Sequence, residues 1–110
     1  MSGADIIIGV DAGTSVIKAV AFTLSGEQIG AASVRNRYET GRDGSATQSL
    51  SQTWDDCAAA IRGLGVKVDN LANRTAAVAL TGQGDGTWLV GKDKEPAGDA
   101  WIWLDARAAP

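Results

Sequence analysis

The chain has 110 residues, 45% of them apolar and 21% charged, with a net charge of −3, one cysteine and no histidine. That length and balance fit one folded domain or part of one, not a disordered segment. A lone cysteine and no histidine exclude a disulfide framework, a zinc site built on Cys and His, and a Ser–His–Asp triad within the chain; an acidic balance without a basic stripe argues against nucleic acid as a partner.

At the N-terminus, MSGADIII has neither the basic stretch nor the long apolar core of a secretory leader. No run approaches the roughly 20 apolar residues of a membrane span. A cytoplasmic protein with no membrane partner is therefore expected. Ile6 to Val10 is short, apolar and β-branched, which predicts a strand buried on both faces. Val16 to Leu24 (VIKAVAFTL) predicts a second strand, Ser25-Gly26 a turn, and EQIGAASVRNRYE a third strand that turns polar toward its end. Short connections make these three an antiparallel meander, and Thr40 to Ala46 follows as a loop.

From Leu50 the period changes. Leu50, Trp54, Cys57, Ala58, Ile61 and Leu64 recur at helical spacing and predict a helix over about 50–64 with these residues on its buried face. Ser49 with Gln52 fits a capping box, Asp55 and Asp56 should favour the helix dipole, and Gly63 and Gly65 should stop the helix. Cys57 on the apolar stripe reads as a small core residue, not a nucleophile. Ala76 to Leu80 predicts a fourth strand and Thr87 to Val90 (TWLV) a fifth; Ala100 to Leu104 is apolar and aromatic. The order β-β-β-α-β-β predicts an α/β protein with a mixed sheet and a helix on one face.

The first turn carries more polar groups than a hairpin needs. Gly13, Thr14 and Ser15 can form a nest of main-chain N–H donors for phosphate, with two hydroxyls beside it. Asp11, ending the first strand, can hold magnesium, which takes one or two carboxylates and keeps several waters. Lys18, early in the second strand, can return a cation to the same place. The conformational reading also stands, since Asp and Gly are common in turns for backbone reasons alone. A P-loop is excluded because its spacing is absent and a strand follows the turn, and Gly82, Gly84 and Gly86 do not have dinucleotide-fingerprint spacing.

GVDAGTSVIKAVAFTLSGEQIG resembles the first phosphate loop of the actin-like ATPase superfamily, whose domains have a ribonuclease H-like core. Within it the chain resembles the FGGY family of carbohydrate kinases. ATQSLSQTWDDC resembles the family's helix start, with Ala46 where an acid is usual; AAVALTGQGDGTWLV resembles its strand followed by Gly-Gln; AWIWLDARA resembles its Trp-x-Asp-x-Arg stretch. The resemblance implies ATP-dependent phosphorylation of a sugar or sugar alcohol, with ATP and Mg²⁺ as cofactors. It implies that Asp11 serves the magnesium–ATP complex, that Gly13, Thr14 and Ser15 face the β- and γ-phosphates, and that Lys18 contacts the transferring phosphoryl group.

Gly84 and Asp85, after Gly-Gln, would then line the acceptor pocket. Gly84 would make room there and Asp85 would accept from two hydroxyls, which leans toward a linear sugar alcohol such as a tetritol or pentitol. Trp103 would pack on the carbon skeleton. Asp105 and Arg107 would either contact ligand or shape the local fold. The resemblance also implies that residues 1–110 are the N-terminal part of domain I. The catalytic base, the adenosine pocket and domain II would lie outside the chain, and apolar surface exposed here would favour self-association as a homo-oligomer. Two alternatives stay open, an actin-like ATPase or chaperone-type nucleotide-binding module and a catalytically inactive fragment that binds through a sheet edge.

Overall fold

The computed structural model describes residues 3–110. The first three strands, β1 (Ile6–Ala12), β2 (Val16–Thr23) and β3 (Gln28–Arg35), form the expected antiparallel meander. Two short strands follow, β4 (Glu39–Thr40) and β5 (Ala46–Gln48), then helix α1 (Leu50–Lys67), the single turn α2 (Leu71–Arg74), strand β6 (Thr75–Gly82) and the short β7 (Ala100–Trp101). The main sheet runs β3-β2-β1-β6, with β6 parallel to β1. A parallel neighbour demands a crossover, and α1 supplies it behind the sheet. This is the mixed sheet with one helical layer that the pattern predicted.

One face of β1, β2 and β3 is buried, whereas β6 is exposed on both faces beyond Thr75. Ile6, Ile8 and Val10 of β1, Ile17, Ala19 and Ala21 of β2, and Ala32 of β3 pack beneath α1 residues Ala60 and Leu64, with Val68 and Leu71 closing the end. The small residues have a reason: a Cβ on Gly63 would stand 3.2 Å from the Ala32 Cβ, and one on Gly30 would stand 2.9 Å from Val68 Cγ2. These glycines let the helix lie close on the sheet. Leu64 is fully buried at this contact. Leu64→Ala should destabilise the fold by about 2–5 kcal/mol through lost transfer energy and the cavity left behind. An unchanged denaturation midpoint for that variant of the complete protein would count against this packing.

Several expectations need correction. β1 is buried on one face only: Ile7 and Asp11 are exposed, because no layer covers the second face among the described residues. The third strand ends at Arg35, short of the predicted Glu39. Gly63 and Gly65 do not stop α1, which continues to Lys67, since close packing compensates the glycine propensity cost. Ser49 Oγ does accept from the Gln52 N–H at 3.1 Å, but the Gln52 amide turns to Asp56 Oδ1, so the box is half made. Asp55 and Asp56 lie beyond the first turn, where the dipole is weak. Trp54 is 76% exposed, not on the buried face.

Thr87 to Val90 is not a strand; only isolated bridges, Thr87 to Trp101 and Val90 to Pro96, form there. The loop predicted over Thr40 to Ala46 is a turn between β4 and β5, which join β7 in a second sheet, β4-β5-β7. A small separate core of Ala46, Ala100 and Ile102 underlies that sheet, with Leu50 and Trp88 packed against it. Cys57 packs against the main core, and burial, then the Asp56 charge, raises its thiol pKa, the opposite of activation. No helix among the described residues is long and apolar enough to cross a membrane.

Candidate functional site

Because β6 runs parallel to β1, their carboxyl ends share one edge of the sheet. The Gly13–Ser15 turn leaves β1 there and the Gln83–Gly86 loop leaves β6 beside it. Crevices outside the carboxyl ends of such strands are where open α/β sheets bind ligands.

Asp11 and Lys18 are direct cross-strand partners in the β1–β2 register, and both are exposed on the uncovered face. Among the described residues the ion pairs within 4.0 Å are Arg74–Asp5 and Arg107–Asp105, so neither the Asp11 carboxylate nor the Lys18 ammonium is consumed. They border a shallow depression of about 310 Å³ floored by Gly9, Val20, Phe22 and Leu80. The Asp11 carboxylate leans toward the turn, its Oδ1 lying 3.9 Å from where a Gly13 Cβ would be.

The turn is tightly held. A Gly13 Cβ would meet the Val16 carbonyl oxygen at 2.7 Å, so the position excludes side chains. Asn36, 2% exposed, donates from Nδ2 to the Gly13 carbonyl at 3.2 Å, while its own N–H bonds the Ser15 carbonyl at 2.8 Å. Gln48, also 2% exposed, donates from Nε2 to the Thr14 carbonyl at 2.8 Å. The carbonyls of the turn are thus pinned to the protein. Outside the strand ladders, no hydrogen bond among the described residues uses the Gly13, Thr14 or Ser15 N–H, so the turn offers main-chain donors to an anion.

The Thr14 hydroxyl is not one of the free donors that the sequence suggested. It donates to Gln83 Oε1 at 3.1 Å and accepts from Trp103 Nε1 at 2.8 Å, so its single proton is committed. That same bond brings Trp103, half exposed, to the Gly13–Ser15 turn. Thr87 and Trp101 exchange main-chain hydrogen bonds at 2.8 and 3.2 Å and tie the Gln83–Gly86 loop to the Trp101–Trp103 segment. Gly84 faces open space, with nothing within 4 Å of a Cβ there. Asp85 is exposed in the left-handed region at φ 58°, which Asp tolerates better than most residues.

Asp105 and Arg107 take the fold-shaping role. Asp105 accepts from the Ala46 N–H at 2.9 Å and from Arg107 Nη2 at 2.7 Å, and the Arg107 guanidinium lies 3.4 Å from the centre of the Trp101 ring. Hydrogen bonds from Arg107, then from the Ala46 and Arg107 N–H groups, hold the Asp105 carboxyl far below the usual carboxylate range. Asn36 and Gln48 are the residues that sequence reasoning missed; a polar residue at the end of a strand signals nothing until its burial is known.

For a metal, no group of three or more acidic, Cys or His side chains occurs among the described residues. A single unpaired carboxylate beside a nest fits an ion that arrives with phosphates and keeps most of its own water. It does not fit a site built wholly from protein.

The family model for the FGGY family of carbohydrate kinases, N-terminal domain, matches residues 6–110. Over 105 residues the chain is 72% identical to a Brucella abortus (strain 2308) protein named erythritol kinase, a match covering 96% of this chain and 20% of that protein. An Escherichia coli (strain K12) protein named L-xylulose/3-keto-L-gulonate kinase is 27% identical over 101 residues, 92% of this chain and 20% of that protein. The crystal structure of xylulose kinase from Rhodospirillum rubrum matches with a TM-score of 0.87 over 94% of this chain and 21% of that one, at 21% identity, which is a likeness of fold. The chain spans about a fifth of the length of the curated relatives it matches.

Proposed function

Since the chain belongs to the FGGY family of carbohydrate kinases, we propose that the complete protein phosphorylates a hydroxyl of a four-carbon sugar alcohol, with erythritol the first candidate. These residues would form the N-terminal part of its domain I and supply the phosphate turn and one wall of the acceptor pocket. The relative named erythritol kinase, at 72% identity, supports the acceptor. One observation carries the chemistry: Asp11 and Lys18, both free of ion pairs, flank the main-chain N–H groups of the Gly13–Ser15 turn, and Trp103 is hydrogen-bonded to that same turn. A cytoplasmic setting, where ATP is supplied, belongs to the same proposal.

Bound magnesium–ATP would supply the electrophilic phosphorus. Asp11 would hold the metal, the N–H groups of Gly13, Thr14 and Ser15 would hold β- and γ-phosphate oxygens, and Lys18 would offset charge developing on the transferred group. Thr14 would contribute its N–H alone, its hydroxyl being committed. Asp85 would accept from two acceptor hydroxyls, Gly84 would leave room for the chain of carbons, and the Trp103 ring would cover it. In the transfer the bond from the γ-phosphorus to the ADP oxygen breaks, a bond to the acceptor oxygen forms, and the hydroxyl proton passes to a base outside these residues.

The test is an assay of the product of the complete reading frame with magnesium–ATP against erythritol, other tetritols, pentitols, glycerol, xylulose and gluconate. Erythritol should give the highest kcat/KM. Asp85→Ala should raise the erythritol KM by about 10- to 100-fold while the ATP KM stays within twofold, as expected when acceptor hydroxyls lose a partner. Preference for a ketose or aldonate would replace the acceptor assignment. ATP hydrolysis with no acceptor phosphorylated would favour the ATPase alternative.

A further inference from the structure

The buried Gln48 sits in a chain of hydrogen bonds whose direction is fixed from end to end. An indole N–H can only donate, so Trp103 Nε1 donates to the Thr14 hydroxyl oxygen at 2.8 Å. The hydroxyl must then spend its one proton on Gln83 Oε1, at 3.1 Å. With its oxygen used in that way, Gln83 donates from Nε2 to Gln48 Oε1 at 2.6 Å. Gln48 is left with its Nε2 protons, which go to the main-chain carbonyls of Thr14 at 2.8 Å and Arg37 at 3.0 Å. Both ends of the relay meet at Thr14: its side chain receives from Trp103 and its main chain is held by Gln48. No link can be reversed, because a flipped Gln48 would set its oxygen against two carbonyls.

We propose that Gln48 is a positioning residue for phosphoryl transfer, and that this one-way relay couples acceptor and nucleotide: a polyol lying against Trp103 fixes the indole, and the fixed relay tightens the Gly13–Ser15 turn on its phosphates. Such coupling is reciprocal, so nucleotide should tighten acceptor binding by the same factor. The proposal takes its two ligands from the kinase reading; the relay itself does not depend on it.

The experiment uses the complete enzyme and measures binding of a non-hydrolysable ATP analogue with magnesium by calorimetry, with and without erythritol, beside steady-state kinetics. Gln48→Met keeps length and removes every donor and acceptor. It should weaken analogue binding about 10-fold and reduce kcat about 10- to 100-fold. The tightening produced by erythritol, about 5- to 10-fold in the parent enzyme, should fall below twofold. Trp103→Phe keeps an aromatic ring and removes only the N–H that starts the relay; at saturating erythritol it should abolish the erythritol effect on analogue binding. Gln52→Met, whose exposed amide bonds only the Asp56 carboxylate in its side-chain contacts, should behave as the parent.

A parent enzyme with no erythritol effect would overturn the coupling. Gln48→Met with parental kcat and analogue affinity, or with a lowered melting point but parental kcat per folded molecule, would overturn the positioning role. If the parent phosphorylates no polyol, the kinase reading fails by itself, and the analogue isotherm of Gln48→Met still judges the relay.

Discussion

On the proposed kinase activity, Asp11→Asn in the complete protein is expected to reduce kcat/KM for ATP by about 10³-fold while leaving the melting temperature close to the parent value. Removing one preorganised charge-stabilising group typically costs about 10²- to 10³-fold, and a carboxylate that also serves a metal belongs at the upper end. The amide has the same shape, so the substitution removes charge and little else. Because the Asp11 carboxylate makes no ion pair with a described residue, its loss breaks no structural contact. The Lys18 ammonium directly across the β1–β2 ladder stays in place. Raising free magnesium should recover part of the rate if weakened metal affinity is the cause. Activity within about threefold of the parent at every magnesium concentration would remove Asp11 from the proposed site.

Gly13→Ala should weaken nucleotide binding about 100-fold or more, although it adds a single methyl group. That carbon would lie 2.7 Å from the Val16 carbonyl oxygen, a main-chain atom and not the mobile end of a side chain. Val16 is the first residue of β2 and is paired with Arg35, so its carbonyl has little freedom to retreat. The Gly13 carbonyl is held by Asn36, so the turn cannot simply rotate away either. Opening the turn would spread N–H groups that must converge on one anion, and convergence is the basis of a nest. Gly84→Ala is the matched comparison: the added methyl meets nothing within 4 Å, and ATP binding should change less than twofold. Calorimetric titration with ADP distinguishes the two, and parental affinity in Gly13→Ala would show that the close contact does not matter for the ligand.

The main sheet was legible from short β-branched apolar runs bounded by turn residues, and the helix behind it from the 3.6-residue stripe that burial imposes on α1. The polar excess between Asp11 and Lys18 could also be read, because nothing in hairpin geometry requires it. Elsewhere local rules lost to packing. Gly63 looked like a stop signal, yet its missing side chain is what allows α1 to approach Ala32. Trp54 fell on the apolar stripe by spacing, but α1 begins beyond the edge of the main core and leaves that ring in solvent. β4, β5 and β7 have two or three residues each, too few to show any period. Asn36 and Gln48 had no local signature, since each acts on a residue more than 20 positions away in the chain. Thr14 was recognised, but its hydroxyl was assigned to a ligand and is held instead by Gln83 and Trp103.

The two apolar clusters are separate, and hydrogen bonds through Trp103, Thr14, Gln83 and Gln48 join the segment bearing Trp103 to the first turn, which has a mechanical meaning. Grease-like contact is indifferent to direction and lets facing surfaces slide, whereas hydrogen bonds weaken steeply once bent. The lobe bearing Trp103 is therefore fixed in angle as well as in distance, as a bracket is fixed by bolts and not by glue. Alignment between an attacking oxygen and a departing one tolerates little misdirection, and a joint that resists twisting suits that demand better than a larger oily one would.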